Sequence, residues 1–369
     1  MKKKILIMTA SIGSGHIKAA EALEEELASL PEVEATRVDF MERRVSKFNW
    51  LLKRLYLIML GLVPNIYDRF FHLAGGSSGG YLSRQLFALL MYGTMQRILR
   101  RYTPDAVICT HPFPEGAAAI AKRRGGKFLL TAVLTDYSLH QIWLYPQVDI
   151  YFTATASMTA ELNEQGFRAH ALGIPLKTKV FAHPLPKEKI RERLNIPSAN
   201  QVILLMGGGL GLGGMEETMD ELIALDLPLT ILAVAGRNDE LQERLNQMAA
   251  RSQKQILVWG YTNRVSLLMQ AADLIITKPG ALTVSEAFAW GLPLVLHEPI
   301  PGPETENANY AVACGAALWL KKRENLTAEL AALLKDASRL RQMKKAAQKV
   351  ARPRAAEDIV KVILKSIVI

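Results

Sequence analysis

Two cysteines in a chain of 369 residues are too few for a disulfide framework. Cys109 and Cys314 lie far apart in apolar runs, which suits buried thiols in a reducing compartment and offers no cysteine cluster to a metal. Long hydrophobic runs are also missing. Met1-Lys2-Lys3-Lys4 has the charge of a signal-peptide start, but the apolar run behind it is only Ile5 to Ala10 and enters a Gly-Ser-Gly turn, so it reads as a first buried strand. Leu55 to Val63, nine residues between Arg54 and Pro64, is about half of the roughly 20 that a membrane-crossing helix needs. No repeat at solenoid spacing and no low-complexity tract is present. The expectation is a cytoplasmic protein that does not span a bilayer.

What is present is a chain that is half hydrophobic and long enough for two α/β domains. The net charge of +10 is concentrated. Between Met41 and Arg101 stand ten basic residues, Arg43, Arg44, Lys47, Lys53, Arg54, Arg69, Arg84, Arg97, Arg100 and Arg101, against Glu42 and Asp68. The same window holds Phe48, Trp50, Tyr56, Tyr67, Phe70, Phe71, Tyr81, Phe87 and Tyr92. Cations beside exposed aromatic and aliphatic groups suit an anionic membrane surface, the cations meeting headgroups while the apolar side chains enter the acyl boundary. Core helices with a basic outer face, or a nucleic-acid or protein partner, are the other readings. The absence of a nucleic-acid-binding motif and the richness in Leu, Ile and Met favour lipid.

Elsewhere strands and helices alternate, the pattern of parallel sheets with crossover helices. Strands are expected at Ile5 to Ala10, Ala35 to Phe40, Asp105 to Thr110, Lys127 to Leu134, Ile150 to Ala154 and near Ala169. After the Gly173-Ile174-Pro175 turn and a Pro- and Lys-rich linker ending near Lys189, they recur at Val202 to Met206, Leu229 to Ala235, Gln255 to Trp259, Leu274 to Thr277, Pro293 to His297 and Ala316 to Leu320. Helices are expected between them, for example at Glu216 to Leu225 and Asp239 to Ala249. The fold class is therefore α/β, with an N-terminal domain over 1–180, a second over 181–350 and a C-terminal helix in 351–369 that returns to the first. Two doubly wound domains are expected to face each other across a cleft at the carboxyl ends of their sheets.

Four glycine-containing loops that follow strands stand out. In Ser11-Ile12-Gly13-Ser14-Gly15-His16 the glycines allow a tight turn into a helix. His16 is then either a general base for an acceptor hydroxyl or a structural donor. Met206-Gly207-Gly208-Gly209-Leu210-Gly211-Leu212-Gly213-Gly214 contains G-x-G-x-x-G at Gly209, Gly211 and Gly214. A nicotinamide-binding unit wants an acid at the end of the next strand, and here that strand ends in Ala235-Gly236-Arg237, which argues for a phosphate or sugar cradle instead. Thr277-Lys278-Pro279-Gly280-Ala281-Leu282-Thr283-Val284-Ser285-Glu286 is a strand, a turn and a helix start that offers amides to a diphosphate. Glu286, one turn on, is placed to accept from two ribose hydroxyls or is a solvated helix acid. Pro299-Ile300-Pro301-Gly302-Pro303-Glu304-Thr305-Glu306-Asn307 is a polar loop at the same sheet edge whose side chains suit sugar hydroxyls.

These loops, with Gly260-Tyr261-Thr262 and the run Thr135-Asp136-Tyr137-Ser138-Leu139-His140-Gln141-Ile142-Trp143, closely resemble the processive diacylglycerol glucosyltransferases and plant monogalactosyldiacylglycerol synthases of glycosyltransferase family 28. The resemblance covers nearly the whole chain. The Thr-Asp-x-x-x-His-x-x-Trp signature distinguishes this branch from the one that makes the peptidoglycan precursor lipid II. It implies a GT-B fold, inverting transfer from a UDP-hexose to diacylglycerol or a glycolipid without a cofactor or bound catalytic metal, and peripheral attachment at the cytoplasmic face of the cell membrane, with no role for nucleic acid. It also implies site residues. His16 would be the base, with Asp136 the second candidate, and Gly13, Gly15, His140 and Trp143 would lie at the acceptor. The donor would meet Gly208, Gly209 and Gly211, the backbone of Tyr261 at uracil, Glu286 at ribose, Pro279, Gly280, Ala281, Leu282 and Thr283 at the diphosphate, and Glu304 and Asn307 at the hexose. Pro303 stands where relatives usually carry Gln, so the resemblance fixes UDP more firmly than it fixes glucose over galactose. A lipid II-type N-acetylglucosaminyltransferase, a UDP-sugar 2-epimerase and a non-catalytic lipid-binding protein are the alternatives.

Overall fold

The computed structural model describes residues 2–51, 54, 78–208, 214–297, 299, 302–320 and 326–367. The chain forms two compact units, residues 1–178 with 353–369 and residues 179–352.

The first unit is a six-stranded parallel sheet: β1 Lys3–Thr9, β2 Val33–Asp39, β3 Ala106–Cys109, β4 Leu129–Val133, β5 Ile150–Thr153 and β6 Ala169–Ala171, in the order β2-β1-β3-β4-β5-β6. Ile5 to Met8 and Ala106 to Cys109 are buried throughout, as strands covered on both faces must be, and this is why they read as continuous apolar runs rather than as alternation. The helix Ser14–Ala28 buries Ala19, Ala20, Leu23 and Leu27 on one stripe. Its neighbour is the last helix, Ala355–Ser366, whose Ala356, Ile359, Val360 and Ile363 join Ile5, Ile7, Leu23 and Leu27 in one core. Lys3 Nζ donates to the Leu364 carbonyl at 3.0 Å, fixing the end of that helix to the start of β1.

The second unit repeats the plan with β7 Gln201–Met206, β8 Leu229–Val234, β9 Gln255–Trp259, β10 Leu274–Thr277, β11 Leu294–Leu296 and β12 Ala317–Trp319, in the order β12-β11-β10-β7-β8-β9. Ile203, Leu205, Met219, Leu222, Ile231, Leu274, Ile276 and Leu330 form its core. The linker stretch contains a short helix, Lys187–Arg193. It is held by Asp273, which takes ion pairs from Lys187 at 2.6 Å and Arg191 at 2.7 Å and accepts from the Val202 amide at 2.8 Å.

In both sheets the first strand lies inside, with its sequence successor on one side and a later strand on the other. The loops that follow those two inner neighbours leave the sheet side by side, at the point where the winding direction reverses. In the first unit Met8 pairs with Cys109, so the loops after β1 and β3 emerge together. In the second unit Met206 pairs with Thr277, which does the same for the loops after β7 and β10.

Candidate active site

At the reversal point of the first unit, Gly13 caps the helix Ser14–Ala28 with φ of 83°, a conformation that costs a side chain dearly and glycine little. Gly15 follows as the second helical residue. His16, partly buried on the first turn, faces the end of β3: its Nδ1 lies 2.8 Å from the Thr110 carbonyl and 2.7 Å from Thr135 Oγ1, and Thr110 Oγ1 donates to the His16 carbonyl at 3.0 Å. A carbonyl only accepts, so Nδ1 carries the proton and Nε2 the lone pair. Burial lowers the affinity of His16 for a proton, while the Asp136 carboxylate and the Thr110 bond raise it; the net displacement is downward from 6.5.

Asp136 is half-buried in the segment after β4, next to Thr135. His140 caps the 3₁₀ turn Gln141–Trp143, with its Nδ1 accepting from the Ile142 amide at 3.2 Å. Trp143 is only 5% exposed, and its carbonyl accepts from the Tyr151 hydroxyl at 2.9 Å. Thus His16 and Asp136 act on each other electrostatically, whereas His140 and Trp143 shape the turn that follows.

His111 is absent from the sequence reading. It lies two residues past the end of β3, is 5% exposed and sets its ring against that of His16, centroids 4.6 Å apart at 71°. It caps the helix Pro112–Arg123 by accepting from the Phe113 amide at Nδ1, 3.1 Å away. Burial, and then the charge of a protonated His16, push its pKa well below the usual imidazole value. Glu115, one turn on, is fully buried, and that burial holds its carboxyl well above the ordinary carboxylate range, against the pull of Arg84. The available signal was Thr110-His111-Pro112, a histidine at the end of a strand and directly before a helix-starting proline.

At the reversal point of the second unit the cradle is backbone. Gly208 has φ of 73° and Gly214, which caps the helix Met215–Ala224, has φ of 56°; Gly209 and Gly211 lie outside the described residues. Next to them, Pro279 is buried and Gly280 caps the helix Ala281–Trp290 with no side-chain hydrogen bond to the first turn. The amides of Ala281, Leu282 and Thr283 therefore point out of the helix end with its partial positive charge. Glu286 is half-buried one turn further. Tyr261, 58% exposed after β9, lies beneath the Arg237 guanidinium, 4.7 Å from its ring centre. Glu304 is in the first turn of the helix Pro303–Ala313, and Asn307 is fully buried on the same helix. Among the described residues no group of His, Cys, Asp and Glu forms a candidate metal site.

Much of the basic window, Lys53 and Arg69 included, lies outside the described residues. Within them, Arg43 and Arg54 stand over the Trp50 ring at 5.3 and 4.9 Å, and Phe48, Leu51, Leu86, Leu89 and Leu90 are exposed. No helix among the described residues is long and apolar enough to cross a membrane.

Residues 16–176 match the family model of monogalactosyldiacylglycerol (MGDG) synthase, and residues 202–359 that of the glycosyltransferase family 28 C-terminal domain. The processive diacylglycerol beta-glucosyltransferase of Bacillus subtilis is 30% identical over 369 residues, covering 98% of this chain and 95% of that protein. Its Bacillus pumilus counterpart is 30% identical over 348 residues, covering 93% and 89%. Among solved structures, Acinetobacter baumannii MurG superposes with a TM-score of 0.67 at 20% identity, over 98% of this chain and 99% of that one. Anabaena HepE with UDP and glucose gives 0.56 at 14% identity, over 98% and 100%. Neisseria meningitidis UDP-GlcNAc 2-epimerase bound to UDP-GlcNAc gives 0.62 at 15%, over 99% and 100%. These likenesses establish the GT-B fold, which transferases and epimerases share.

Proposed function

Because the chain belongs to glycosyltransferase family 28, among the processive diacylglycerol β-glucosyltransferases and monogalactosyldiacylglycerol synthases, we propose that it moves a hexose from a UDP-sugar to diacylglycerol or a glycosyldiacylglycerol. Glucose is the favoured sugar, as in the names of the bacterial relatives. The observation that carries the mechanism is the tautomer of His16: with Nδ1–H committed to Thr110, Nε2 is free to take the proton of an acceptor hydroxyl. As that proton leaves, the hydroxyl oxygen attacks the anomeric carbon from the face opposite UDP, and the bond to the diphosphate breaks with inversion. Asp136 supports the imidazolium that forms, and it is the alternative base. The amides of Ala281, Leu282 and Thr283 meet the negative charge that develops on the diphosphate. Glu286 accepts from the ribose hydroxyls, Glu304 from the hexose, and Tyr261 borders the uracil, while Asn307, fully buried, supports the helix that carries Glu304 instead of meeting the sugar.

The lipid acceptor calls for a membrane surface. Phe48 and Leu51, exposed on either side of Trp50 with its Arg43 and Arg54, and Leu86, Leu89 and Leu90, exposed on the helix Ser78–Tyr102, are suited to it, and they support peripheral attachment to an anionic leaflet, the cytoplasmic one. Each cation near such a surface contributes about 1 kcal/mol, screened over a Debye length, so vesicle binding should need anionic lipid and weaken with salt. The deciding experiment incubates the protein with diacylglycerol-containing liposomes and UDP-glucose, UDP-galactose or UDP-N-acetylglucosamine, each radiolabelled in the sugar. Labelled glycosyldiacylglycerol is expected. Transfer of N-acetylglucosamine alone, or epimerised UDP-sugar with no lipid product, would replace this reading with one of its fold-mates' chemistries.

A further inference from the structure

We propose that His111 is the second half of the acceptor-hydroxyl site: its Nε2–H donates to the hydroxyl oxygen whose proton His16 Nε2 accepts. The inference rests on the reading of His16 as base and adds the partner that aims the hydroxyl.

The geometry makes the two rings complementary. His16 has its proton on Nδ1, because Nδ1 faces the Thr110 carbonyl, so its Nε2 is an acceptor. His111 is the reverse. The Phe113 amide donates to its Nδ1, so the proton of the neutral ring is on Nε2 and that nitrogen is a donor. Each tautomer is set by a backbone group, and the backbone groups are set by the pairing of β1 with β3 and by the helix start at Pro112. The ring centres are 4.6 Å apart with the planes at 71°, close enough for one hydroxyl oxygen to be taken between the two Nε2 atoms in this proposal.

A hydroxyl is the group that needs both partners, since its oxygen accepts while its hydrogen donates. With one lone pair taken by His111 and the hydrogen turned to His16, the remaining lone pair has a single direction left, and that is the attacking one. In the transfer the O–H bond breaks and its proton passes to His16 Nε2, the oxygen bonds the anomeric carbon, and the bond from that carbon to the diphosphate breaks, its electron pair leaving on UDP. His111 keeps its proton throughout. Its burial and the approach of a charged His16 both disfavour a second imidazolium, which would also break the cap on Phe113.

The test is His111→Asn. Asparagine is among the best helix caps and can take over the Phe113 amide, so the fold is expected to survive while the ring donor is lost. The expected result is a fall of about 10- to 100-fold in kcat/KM for the lipid acceptor, with unchanged UDP affinity and melting temperature. The double variant His16→Ala/His111→Asn should fall little below His16→Ala alone, because both residues act on the same hydroxyl. If His111→Asn does not fold, His111→Ser, also a capping residue, takes its place. Parental acceptor kinetics in a folded variant, or fully additive losses in the double variant, overturn the proposal. Near-parental turnover in His16→Ala alone would instead remove the base assignment, which is a separate result.

Discussion

The two reversal points have the same topology and opposite chemistry. In the first unit the loops after the inner strands present side chains, His16, Thr110, His111, Thr135 and Asp136, joined by hydrogen bonds, ring contact and charge. In the second they present backbone: glycines with positive φ after β7 and an uncapped helix start after β10. On the proposed function, the difference follows from what each end would hold. A proton in transit needs a titratable group of fixed tautomer. A diphosphate needs several donors converging without bulk, which amides supply and side chains obstruct.

The largest effect expected from breaking this division is in the first unit. His16→Ala should lower kcat by about 10²- to 10⁴-fold and leave the UDP dissociation constant almost unchanged. In the parent the acidic limb of the rate profile should lie below 6.5, the rate falling with pH as Nε2 gains a proton and loses its lone pair. Asp136→Asn separates the rivals: a dead Asp136→Asn beside an active His16→Ala makes Asp136 the base.

On the donor side the losses should appear in binding instead. Glu286→Gln replaces charge-assisted hydrogen bonds to ribose with neutral ones and should weaken UDP by about 1 to 3 kcal/mol in calorimetry. An unchanged affinity in a folded variant removes the ribose assignment. Gly280→Ala sharpens the backbone argument. Its φ is −62° and no atom lies within 4 Å of an added Cβ, so the fold tolerates alanine there; a methyl group intruding on the diphosphate should nevertheless weaken UDP by about tenfold. Equal UDP affinity would mean that the ligand does not approach this turn.

Glu115→Gln should have the smallest effect, and it acts on stability. A carboxyl whose folded pKa is raised holds a proton that the unfolded chain releases, so above the unfolded value, near 4.5, stability declines as pH rises. The glutamine variant escapes this, and its melting temperature should overtake the parent's as pH increases and converge with it toward pH 4.5. A difference independent of pH would place the carboxyl in a different environment.

All twelve strands among the described residues were legible as apolar runs between turns, with ends shifted by a few residues at most. Ala35 to Phe40, for example, is Val33–Asp39 because its first residues pair with Lys3 and Lys4 at the sheet edge. The loops of the second unit were legible as loops and helix starts because glycine, proline and helix starts are local signals. His111 was not, because its meaning depends on β1 lying next to β3. The bond between His16 and Thr110 spans 94 residues, and the periodicity of neither segment shows which strands become neighbours.

The chain leaves the first unit at Thr178 and re-enters it at Pro353. During synthesis the whole second unit is therefore made before Ala356, Ile359, Val360 and Ile363, and the apolar stripe of Ser14–Ala28 waits uncovered for them. The half that carries the histidines is thus the last to close, and a nascent chain that stalls or is clipped near Arg352 keeps a finished second unit while the helix that packs on Ser14–Ala28 is missing.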